Sequence, residues 1–181
     1  MAFKDTILTF EDDKIRADDF IEVMMRWEAP IMEKSAEYIC QSKGDILEIG
    51  FGMGICSDYI QAQGVNSHTI VDIHPQVIEK LKEWAKDKDN VIIVEGDWID
   101  VELGTYDGIF IDTYGGDHWA KFKEFALSKA KDGARVTYWN ADWTENEHKF
   151  DNISYEDIPI EPELEDHLWH DNIYHLPKVV I

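Results

Sequence analysis

The sequence has few cationic side chains. Its 181 residues include 17 lysines and arginines against 38 aspartates and glutamates, which gives a formal net charge of −21. A surface of this sign repels nucleic acids and anionic membranes, so we expect neither as a partner. The charge is compatible with a cationic substrate, although a solubilising surface is the simpler interpretation.

Cysteines and long apolar runs are also scarce. Cys40 and Cys56 are the only cysteines and have no metal-ligand spacing, so we expect free thiols in a reducing cytoplasm. No apolar stretch approaches membrane-spanning length, and the N-terminus shows no signal-peptide pattern. His167, His170 and His175 lack cysteine support, so we expect no metal site. These absences together predict a cytoplasmic protein.

The overall composition is that of a globular protein. Hydrophobic residues make up 44% of the chain and aromatic residues 12%, which suits a packed core. A length of 181 residues is enough for one domain. We therefore expect a single domain over residues 1–181, with an N-terminal arm and helices at 1–44 and a core at 45–181.

A glycine-rich turn between a strand and a helix is the most informative feature of the chain. Ile46, Leu47 and Ile49 form a short apolar run typical of a buried strand, and a helical pattern begins at Ile55. Gly50, Gly52 and Gly54 lie between them, and glycine allows a sharp turn and a close approach to a ligand. Because the helix would aim its first amides at that ligand, the segment predicts a nucleotide-type cofactor site.

The spacing of these glycines favours one kind of cofactor. A dinucleotide loop of the form G-x-G-x-x-G would need glycine at position 55, where the chain has Ile55, and no G-K-[ST] follows to bind a triphosphate. Glu48 instead precedes a G-x-G-x-G run that contains Phe51 and Met53. The E-x-G-x-G-x-G arrangement resembles motif I of class I S-adenosylmethionine methyltransferases. A plain tight strand–helix turn remains the alternative for the glycines alone.

Strands and helices alternate along the rest of the chain. The segments predicted as strands after the glycine turn are 68–72, 91–94, 108–112 and 134–139, and those predicted as helices are 55–63, 75–85 and 119–131, the last with a stop at 132–133. Segments 153–160 and 173–181 have no long helix between them, so we expect an antiparallel pair with 153–160 at an edge. The pattern predicts an α/β fold with a doubly wound, Rossmann-like, mostly parallel sheet.

The N-terminal segment is predicted to form a helical cap behind a partly ordered arm at residues 1–19. Phe20, Val23 and Trp27 recur at helical spacing. Pro30 is expected to interrupt the helix and to push Ala29 out of the α-helical region. A second helix is expected to run from residue 31 to about residue 40.

Acidic side chains follow several of the predicted strands. Asp72 ends the second strand, where a carboxylate accepts hydrogen bonds from ribose hydroxyls. Asp97 follows the third strand, where it would accept from an adenine amino group while Trp98 covers the ring. Asp112 follows the fourth strand, where a catalytic group would face the cofactor. The alternatives are a helix N-terminal acid for Asp72, a surface turn with a buried aromatic for Asp97 and Trp98, and a loop cap for Asp112.

Glu28 is a further unusual acid, because it lies in an apolar segment directly before the Ala29–Pro30 pair. Its spacing alone favours an ion pair with Arg26. A carboxylate held for a ligand is the other interpretation.

Several segments, in order along the chain, resemble the guanidinoacetate N-methyltransferase family. Residues 23–32 resemble the segment V-M-x-R-W-E-x-P-x-M, and residues 50–53 resemble the family's glycine loop. Residues 106–109 are similar to F-D-G-I, residues 112–114 to D-T-Y, and residues 174–181 to the closing strand. A fungal-type protein arginine δ-N-methyltransferase resembles the same family, so the similarity indicates guanidino methylation rather than one substrate.

The resemblance implies roles for individual residues. Glu28 and Asp112 would grip the guanidino group, whose planar N–H donors fit carboxylates bidentately. Asp112 would also be the general base, because a protonated guanidinium is a poor nucleophile and must lose a proton. The implied cofactor-binding residues are Trp27, Met32, Glu48, Gly50, Phe51, Gly52, Met53, Gly54, Asp72, Ile73, Gly96, Asp97 and Trp98. The implied substrate-binding residues are Glu28, Asp112, Thr113, Tyr114, Asn140 and Asp142.

One region departs from the family. The segment after the fifth strand is shorter than in the family, and it carries Asp142, which would repel a substrate carboxylate. We expect an S-adenosylmethionine-dependent N-methyltransferase that acts on a small guanidino compound, such as guanidinoacetate or arginine, and releases S-adenosylhomocysteine. A homodimer is compatible with the sequence. The alternatives are a protein arginine N-methyltransferase and a non-catalytic S-adenosylmethionine-binding protein.

Overall fold

The computed structural model describes residues 3–18, 21–113, 119–140, 149–162 and 171–181. The N-terminal part forms a small antiparallel sheet in the order β1-β2-β3. Its strands are β1 (Leu8–Phe10), β2 (Lys14–Ala17) and β3 (Ile21–Met25), followed by a 3₁₀ turn (Arg26–Glu28) and helix α1 (Ala29–Ile39).

A seven-stranded sheet forms the centre of the molecule, in the order β6-β5-β4-β7-β8-β10-β9. The first five strands in this order are parallel, and β10 runs antiparallel to both β8 and β9. The strands are β4 (Asp45–Ile49), β5 (Ser67–Asp72), β6 (Val91–Glu95), β7 (Tyr106–Ile111), β8 (Ala130–Tyr138), β9 (Ile153–Pro159) and β10 (Ile173–Val180). The remaining helices are α2 (Ile55–Ala62), α3 (Pro75–Ala85) and α4 (Phe122–Lys129).

The two faces of the central sheet pack against different helices. Leu47 and Ile49 of β4 belong to one core cluster with Phe122 and Phe125 of α4. Ile46, on the opposite face of β4, packs with side chains of α1 and α2. Because successive side chains of a strand point to opposite faces, a strand covered on both sides is mostly apolar, which explains Ile46, Leu47 and Ile49. Glu48 is the exception, a buried acid in the same strand. None of the described helices combines the length and apolar character needed to cross a bilayer.

The prediction of a doubly wound, mostly parallel sheet is confirmed. The antiparallel pairing of the last two strands and the edge position of β9 are also confirmed. Pro159 is the last residue of β9 and faces Ile173. An edge strand accommodates proline because its outer N–H groups need no strand partner.

The N-terminal helix predicted from Phe20 to Trp27 is wrong. Residues Ile21–Met25 form strand β3, which pairs with β2, and Phe20 lies outside the described residues. Pairing with a neighbouring strand overrides the weak helical periodicity of so short a segment. Ala29 was also expected outside the helical region, but its φ of −52° and ψ of −40° are α-helical. Pro30 therefore begins α1 rather than breaking a helix, since the first turn needs no proline N–H.

The helix stop predicted at Asp132–Gly133 is also wrong. Helix α4 ends at Lys129 and β8 begins directly at Ala130. Gly133 lies within β8 at a φ of 79°, and its N–H donates to Ile181 O at 2.7 Å. The glycine therefore marks an irregularity of a strand, which sequence patterns do not distinguish from a helix C-cap.

Candidate active site

A cavity of about 760 Å³ opens at the carboxyl ends of the parallel strands. In doubly wound sheets this is the edge at which ligands bind. The volume falls within the range of small-molecule and cofactor sites. The N-terminal sheet forms a second wall, because Ile15, Ala17, Val23 and Met24 also line the cavity.

The glycine turn brings backbone rather than side chains to the cavity wall. Gly50, Gly52 and Gly54 have φ values of 90°, 53° and 76°, a region that side chains strongly disfavour. A Cβ on Gly50 would overlap the backbone oxygen of Asp112, and one on Gly52 would overlap the sulfur of Met24. Only glycine therefore permits this close approach of backbone to neighbour and ligand.

Asp72 lies at the end of β5 and its carboxylate orders the neighbouring backbone. Oδ2 accepts a hydrogen bond from the N–H of Phe51 at 2.9 Å, and Oδ1 accepts from the N–H of His74 at 2.9 Å. Burial raises the pKa of Asp72, while the two backbone donors act against that rise. Each carboxylate oxygen has room for a second donor, so these contacts leave the ribose-binding role open to Asp72.

Gly96, Asp97 and Trp98 line the cavity after β6. Asp97 Oδ1 accepts a hydrogen bond from the N–H of Ile99 at 3.2 Å. The ring of Trp98 is buried and packs edge-on against Phe125, with centroids 4.7 Å apart. Trp98 is therefore a buried aromatic residue, as the alternative predicted, and it also lies on the cavity wall.

Asp112 follows β7 directly and lies on the wall of the cavity beside the glycine turn. Its backbone N–H donates to Ile49 O at 2.9 Å, which ties the end of β7 to the end of β4. Burial first, and the negative charge of Glu48 second, raise the pKa of Asp112 to about 7. A carboxyl group with this pKa is suited to exchange a proton near neutral pH.

Glu48 lies beneath the glycine turn and is completely buried. Its Oε2 accepts hydrogen bonds from Ser57 Oγ at 2.5 Å and pairs with His68 Nε2 at 2.8 Å. Its Oε1 has no hydrogen-bond partner among the described residues, although Glu48 lines the cavity. An unpaired buried carboxylate oxygen is costly, which is typical of a group with a functional role.

Glu28 and Trp27 lie outside the described lining of the cavity. Oε1 of Glu28 accepts the N–H of Met25 at 2.7 Å. The expected ion pair with Arg26 is wrong, because the Arg26 guanidinium donates to Asp12 O instead, over 3.3–3.4 Å. Trp27 packs against a cluster that contains Tyr174.

Tyr174 connects Glu28 with Asp112 electrostatically. Burial raises the pKa of the Tyr174 hydroxyl well above its ordinary value, and the charges of Asp112 and Glu28 raise it further. The same hydroxyl oxygen accepts the N–H of Asn140 at 2.7 Å. Both carboxylates therefore lie within electrostatic reach of one buried side chain, at the end of the sheet where β7 and β8 terminate.

The structure brings most of the sequence-predicted site residues together around the cavity. Those on its wall are Met32, Glu48, Gly50, Phe51, Gly52, Asp72, Ile73, Gly96, Asp97, Trp98, Asp112 and Thr113. Those described elsewhere are Trp27, Glu28, Met53, Gly54 and Asn140, whereas Tyr114 and Asp142 lie outside the described residues, as do His167 and His170.

Sequence reasoning missed part of the wall. No sequence pattern indicated that Met24 would line the cavity, yet its sulfur accepts the N–H of Met53 at 3.2 Å and borders the glycine turn. Cys56, predicted only as a free thiol, lines the cavity as well. Ile15 and Ala17 reach the cavity only because β2 and β3 pair. The alternation of Ile21, Val23 and Met25 was the one signal for that strand.

The sheet order and the glycine-lined cavity together are those of a class I S-adenosylmethionine-dependent methyltransferase fold. Solved structures with this fold include a putative S-adenosylmethionine-dependent methyltransferase from Streptococcus mutans, with a TM-score of 0.65 at 13% identity over 100% of this chain and 57% of that chain. Precorrin-6y C5,15-methyltransferase from Geobacter metallireducens gives a TM-score of 0.61 at 14% identity over 82% of this chain and 87% of that chain. These identities show the fold alone.

The chain belongs to the guanidinoacetate N-methyltransferase family, whose family model matches residues 11–173. Protein arginine N-methyltransferase 2 of Aspergillus fumigatus is 37% identical over 132 residues, which are 68% of this chain and 31% of that protein. The protein of the same name from Saccharomyces cerevisiae is 39% identical over 60% of this chain and 30% of its own length. The chain thus spans about a third of the length of the curated relatives it matches.

S-adenosylmethionine is the cofactor of this family and fold, and the residues present fit it. Gly50 and Gly52 line the cavity without a side chain, so the backbone of the turn is accessible to a ligand. Asp72 ends β5 and Asp97 follows β6, so both lie on the cavity wall where a ribose and an adenine would be held. Met24 and Met32 supply an apolar wall on the side of the N-terminal sheet and α1.

Proposed function

We propose that this protein transfers the methyl group of S-adenosylmethionine to a guanidino nitrogen of a small molecule. The observation that carries the proposal is the position of Asp112, a carboxyl group on the cavity wall beside the Gly50 turn with a pKa of about 7. A base with this pKa can remove a proton near neutral pH, which a guanidinium must lose as its nitrogen is alkylated.

A second carboxylate supports a guanidino substrate rather than a simple amine. A guanidinium is planar and presents paired N–H donors that fit two carboxylates at once. Glu28 is buried, and its charge and that of Asp112 both reach Tyr174. Two such carboxylates would hold the three nitrogens in one plane with one nitrogen towards the methyl group. Orientation of this kind supplies several kcal/mol of a reaction barrier, on the order of 7–11 in the best cases.

The side chains of this protein would orient the substrate and accept its proton. S-adenosylmethionine supplies an electrophilic methyl group on a sulfonium and leaves as S-adenosylhomocysteine. Asp112 accepts the N–H proton as the new nitrogen–carbon bond forms and the carbon–sulfur pair goes to sulfur. Glu28 stays ionised and balances the charge of the bound cation. Met24 and Met32 help to exclude water from the site.

The charge distribution supports a substrate with a net positive charge. Lys4 is the only cation among the described residues that line the cavity, beside five acids. Asp142 is expected to add a further negative charge near the substrate, although it lies outside the described residues. Arginine or agmatine would therefore be preferred over guanidinoacetate. A cytoplasmic location and a homodimer stay predictions from the sequence.

An arginine side chain within a protein is a second candidate substrate. The curated relatives at 37–39% identity carry the name protein arginine N-methyltransferase 2. The same two carboxylates would hold an arginine side chain, so the residues of the site do not favour one source of the guanidino group. A non-catalytic S-adenosylmethionine-binding protein is the remaining alternative.

A panel assay separates these candidates. Protein would be incubated with radiolabelled S-adenosylmethionine and guanidinoacetate, arginine, agmatine, guanidine or an arginine-rich protein, with the Asp112→Asn variant as control. We expect the native protein to label a small cationic guanidino compound and the Asp112→Asn variant not to label it. Labelling of the arginine-rich protein alone would support the second candidate. Tight cofactor binding without any labelling would reject catalysis.

A further inference from the structure

The carboxylate of Glu48 is placed where a structural role alone does not explain it. It is 0% exposed, and only one of its two oxygens is paired among the described residues. Ser57 Oγ and His68 Nε2 both contact Oε2, at 2.5 Å and 2.8 Å. A buried carboxylate with a free oxygen beside a ligand cavity is an expensive arrangement if it does nothing for the ligand site.

The contacts of the His68 ring are compatible with a neutral tautomer protonated on Nε2. A carboxylate oxygen only accepts, so the 2.8 Å contact requires a proton on His68 Nε2. On the other side of the ring, Gln61 Nε2 lies 3.1 Å from His68 Nδ1, and this amide nitrogen only donates. With this orientation of the amide, a neutral ring satisfies both ring nitrogens. In this tautomer, His68 and Ser57 orient the Glu48 carboxylate without compensating its charge.

Glu48 and Asp112 share one face of the central sheet. In the parallel pair β4–β7, Glu48 lies opposite Phe110, and Asp112 follows Phe110 by two residues. Side chains two residues apart in a strand point to the same face, so Asp112, the first residue after β7, continues the face that carries Phe110 and Glu48. Both carboxylates also line the same cavity. The fold therefore holds a permanently buried acid beside the proposed base.

We propose that Glu48 is a positioning residue for the methyl transfer: its fixed negative charge strengthens Asp112 as a proton acceptor, while His68 and Ser57 hold the Glu48 carboxylate in place. The inference rests on the proposed function, because it assigns Asp112 the role of base. It also gives a physical reason for a glutamate before the glycine turn, beyond any contact with the cofactor.

Other titratable groups also lie around Asp112, and two of them, Cys56 and Tyr174, are neutral. Burial and the charge of Glu48 raise the pKa of the Cys56 thiol on α2 well above its ordinary value, so the thiol stays neutral. Tyr174 on β10 is likewise held neutral by burial. The charge of Glu28, before α1, contributes to the raised pKa of Tyr174. The acids Asp72 and Asp97 also line the cavity, and Lys4 is the lining cation.

A carboxyl titration in the cofactor-free protein tests the coupling directly. The ¹³C signal of the Asp112 carboxyl would be assigned by its loss in Asp112→Asn and followed from pH 4 to pH 9 by NMR. In Glu48→Gln we expect the midpoint to fall by about 1 pH unit, because a neighbouring negative charge is removed while the shape of the side chain is kept. An unchanged midpoint in folded Glu48→Gln would overturn the proposal.

A matched control removes one negative charge from the other end of β7. Asp107 lies near the start of β7, where it accepts from Lys131 Nζ at 2.7 Å, so Asp107→Asn should leave the Asp112 midpoint unchanged. His68→Gln, which keeps the Glu48 charge, should move the midpoint less than Glu48→Gln. An equal shift in all three variants would contradict a specific effect of Glu48.

The ring of His68 provides a test that needs no variant of Glu48. Long-range ¹H–¹⁵N NMR on the native protein should show a proton on Nε2 and none on Nδ1 between pH 6 and pH 8. A doubly protonated ring would cancel the charge of Glu48 and overturn the proposal even if Glu48→Gln did not fold. Neither NMR measurement depends on turnover. A substrate panel without labelling would therefore reject the proposed function, whereas an unchanged Asp112 midpoint in Glu48→Gln would reject only the role of Glu48.

Discussion

Gly50 lies in direct contact with the backbone of Asp112, so closely that a Cβ on Gly50 would overlap the Asp112 oxygen. The contact joins the end of β4 to the end of β7, where the hydrogen bond from Asp112 N to Ile49 O reinforces it at 2.9 Å. The glycine turn and the proposed base are therefore placed by the same pair of strands. Substitutions in the glycine turn should therefore alter the position of Asp112 as well as the stability of the protein.

Gly50→Ala should destabilise the protein strongly and weaken S-adenosylmethionine binding. Position 50 combines a φ of 90° with an overlap against backbone, which cannot move aside as a flexible side chain can. We expect a loss of at least ~3 kcal/mol in the free energy of unfolding. Gly64→Ala is the matched control, because its φ is 69° but nothing lies within 4 Å of the added Cβ. It should cost ~1 kcal/mol and leave affinity unchanged. Urea unfolding measures the loss of stability and calorimetric titration measures the loss of affinity. Equal losses of stability in Gly50→Ala and Gly64→Ala would contradict an effect of the contact with Asp112.

Asp112→Asn should remove turnover while leaving cofactor affinity within a few-fold of the native value. Loss of a general base lowers the rate by ~10²–10⁴-fold, whereas the glycine turn and Asp72 remain intact. Asp107→Asn is the control on the same strand: it loses contacts with Lys131 and with the N–H of Asp45, and should affect stability rather than turnover. Single-turnover kinetics and equilibrium binding separate the two effects. Native turnover in Asp112→Asn would remove Asp112 from the role of base.

The pH dependence of stability should reveal the raised pKa of Asp112. Its folded value of about 7 lies above the ordinary 3.8, so the folded state binds the proton more tightly than the unfolded state. The stabilisation is therefore complete below pH 4 and is lost as the pH rises towards 7. Relative to Asp112→Asn, the native protein should lose ~2–3 kcal/mol of unfolding free energy between pH 5 and pH 8. Urea unfolding of both proteins at the two pH values measures this difference, and parallel curves would contradict it.

The side chain of Gln76 should be required for the N-terminal wall of the cavity. Its Oε1 accepts the N–H of Leu8 at 2.8 Å and its Nε2 donates to Leu8 O at 3.0 Å, which fastens β1 to α3. Gln76→Ala should cost ~1–2 kcal/mol and weaken cofactor binding, because the small sheet then covers the cavity less firmly. Gln41→Ala, at an exposed position outside the cavity, should change neither. Hydrogen exchange at β1 and calorimetric titration test this, and unchanged exchange would argue against the attachment.

The central sheet was predictable because local patterns determine it. Apolar residues such as Ile46, Leu47 and Ile49, glycine at strand ends and alternating helices are local signals of strands and helices. The N-terminal sheet was not predictable in the same way. Residues 21–25 are too short for helical periodicity to be distinguished from a strand, and the pairing of β3 with β2 decides the outcome.

For the candidate site, the sequence by itself determined which chemical groups are available. The glycine turn, Asp72, Asp97 and Asp112 each follow a strand, so their common edge could be inferred from the chain alone. Only the tertiary structure decided how these groups affect one another. The placement of Met24 on the cavity wall, the pairing of Glu48 with His68 and the raised pKa of Asp112 all depend on contacts between distant segments. Such contacts follow from packing and burial, which no local pattern of residues specifies.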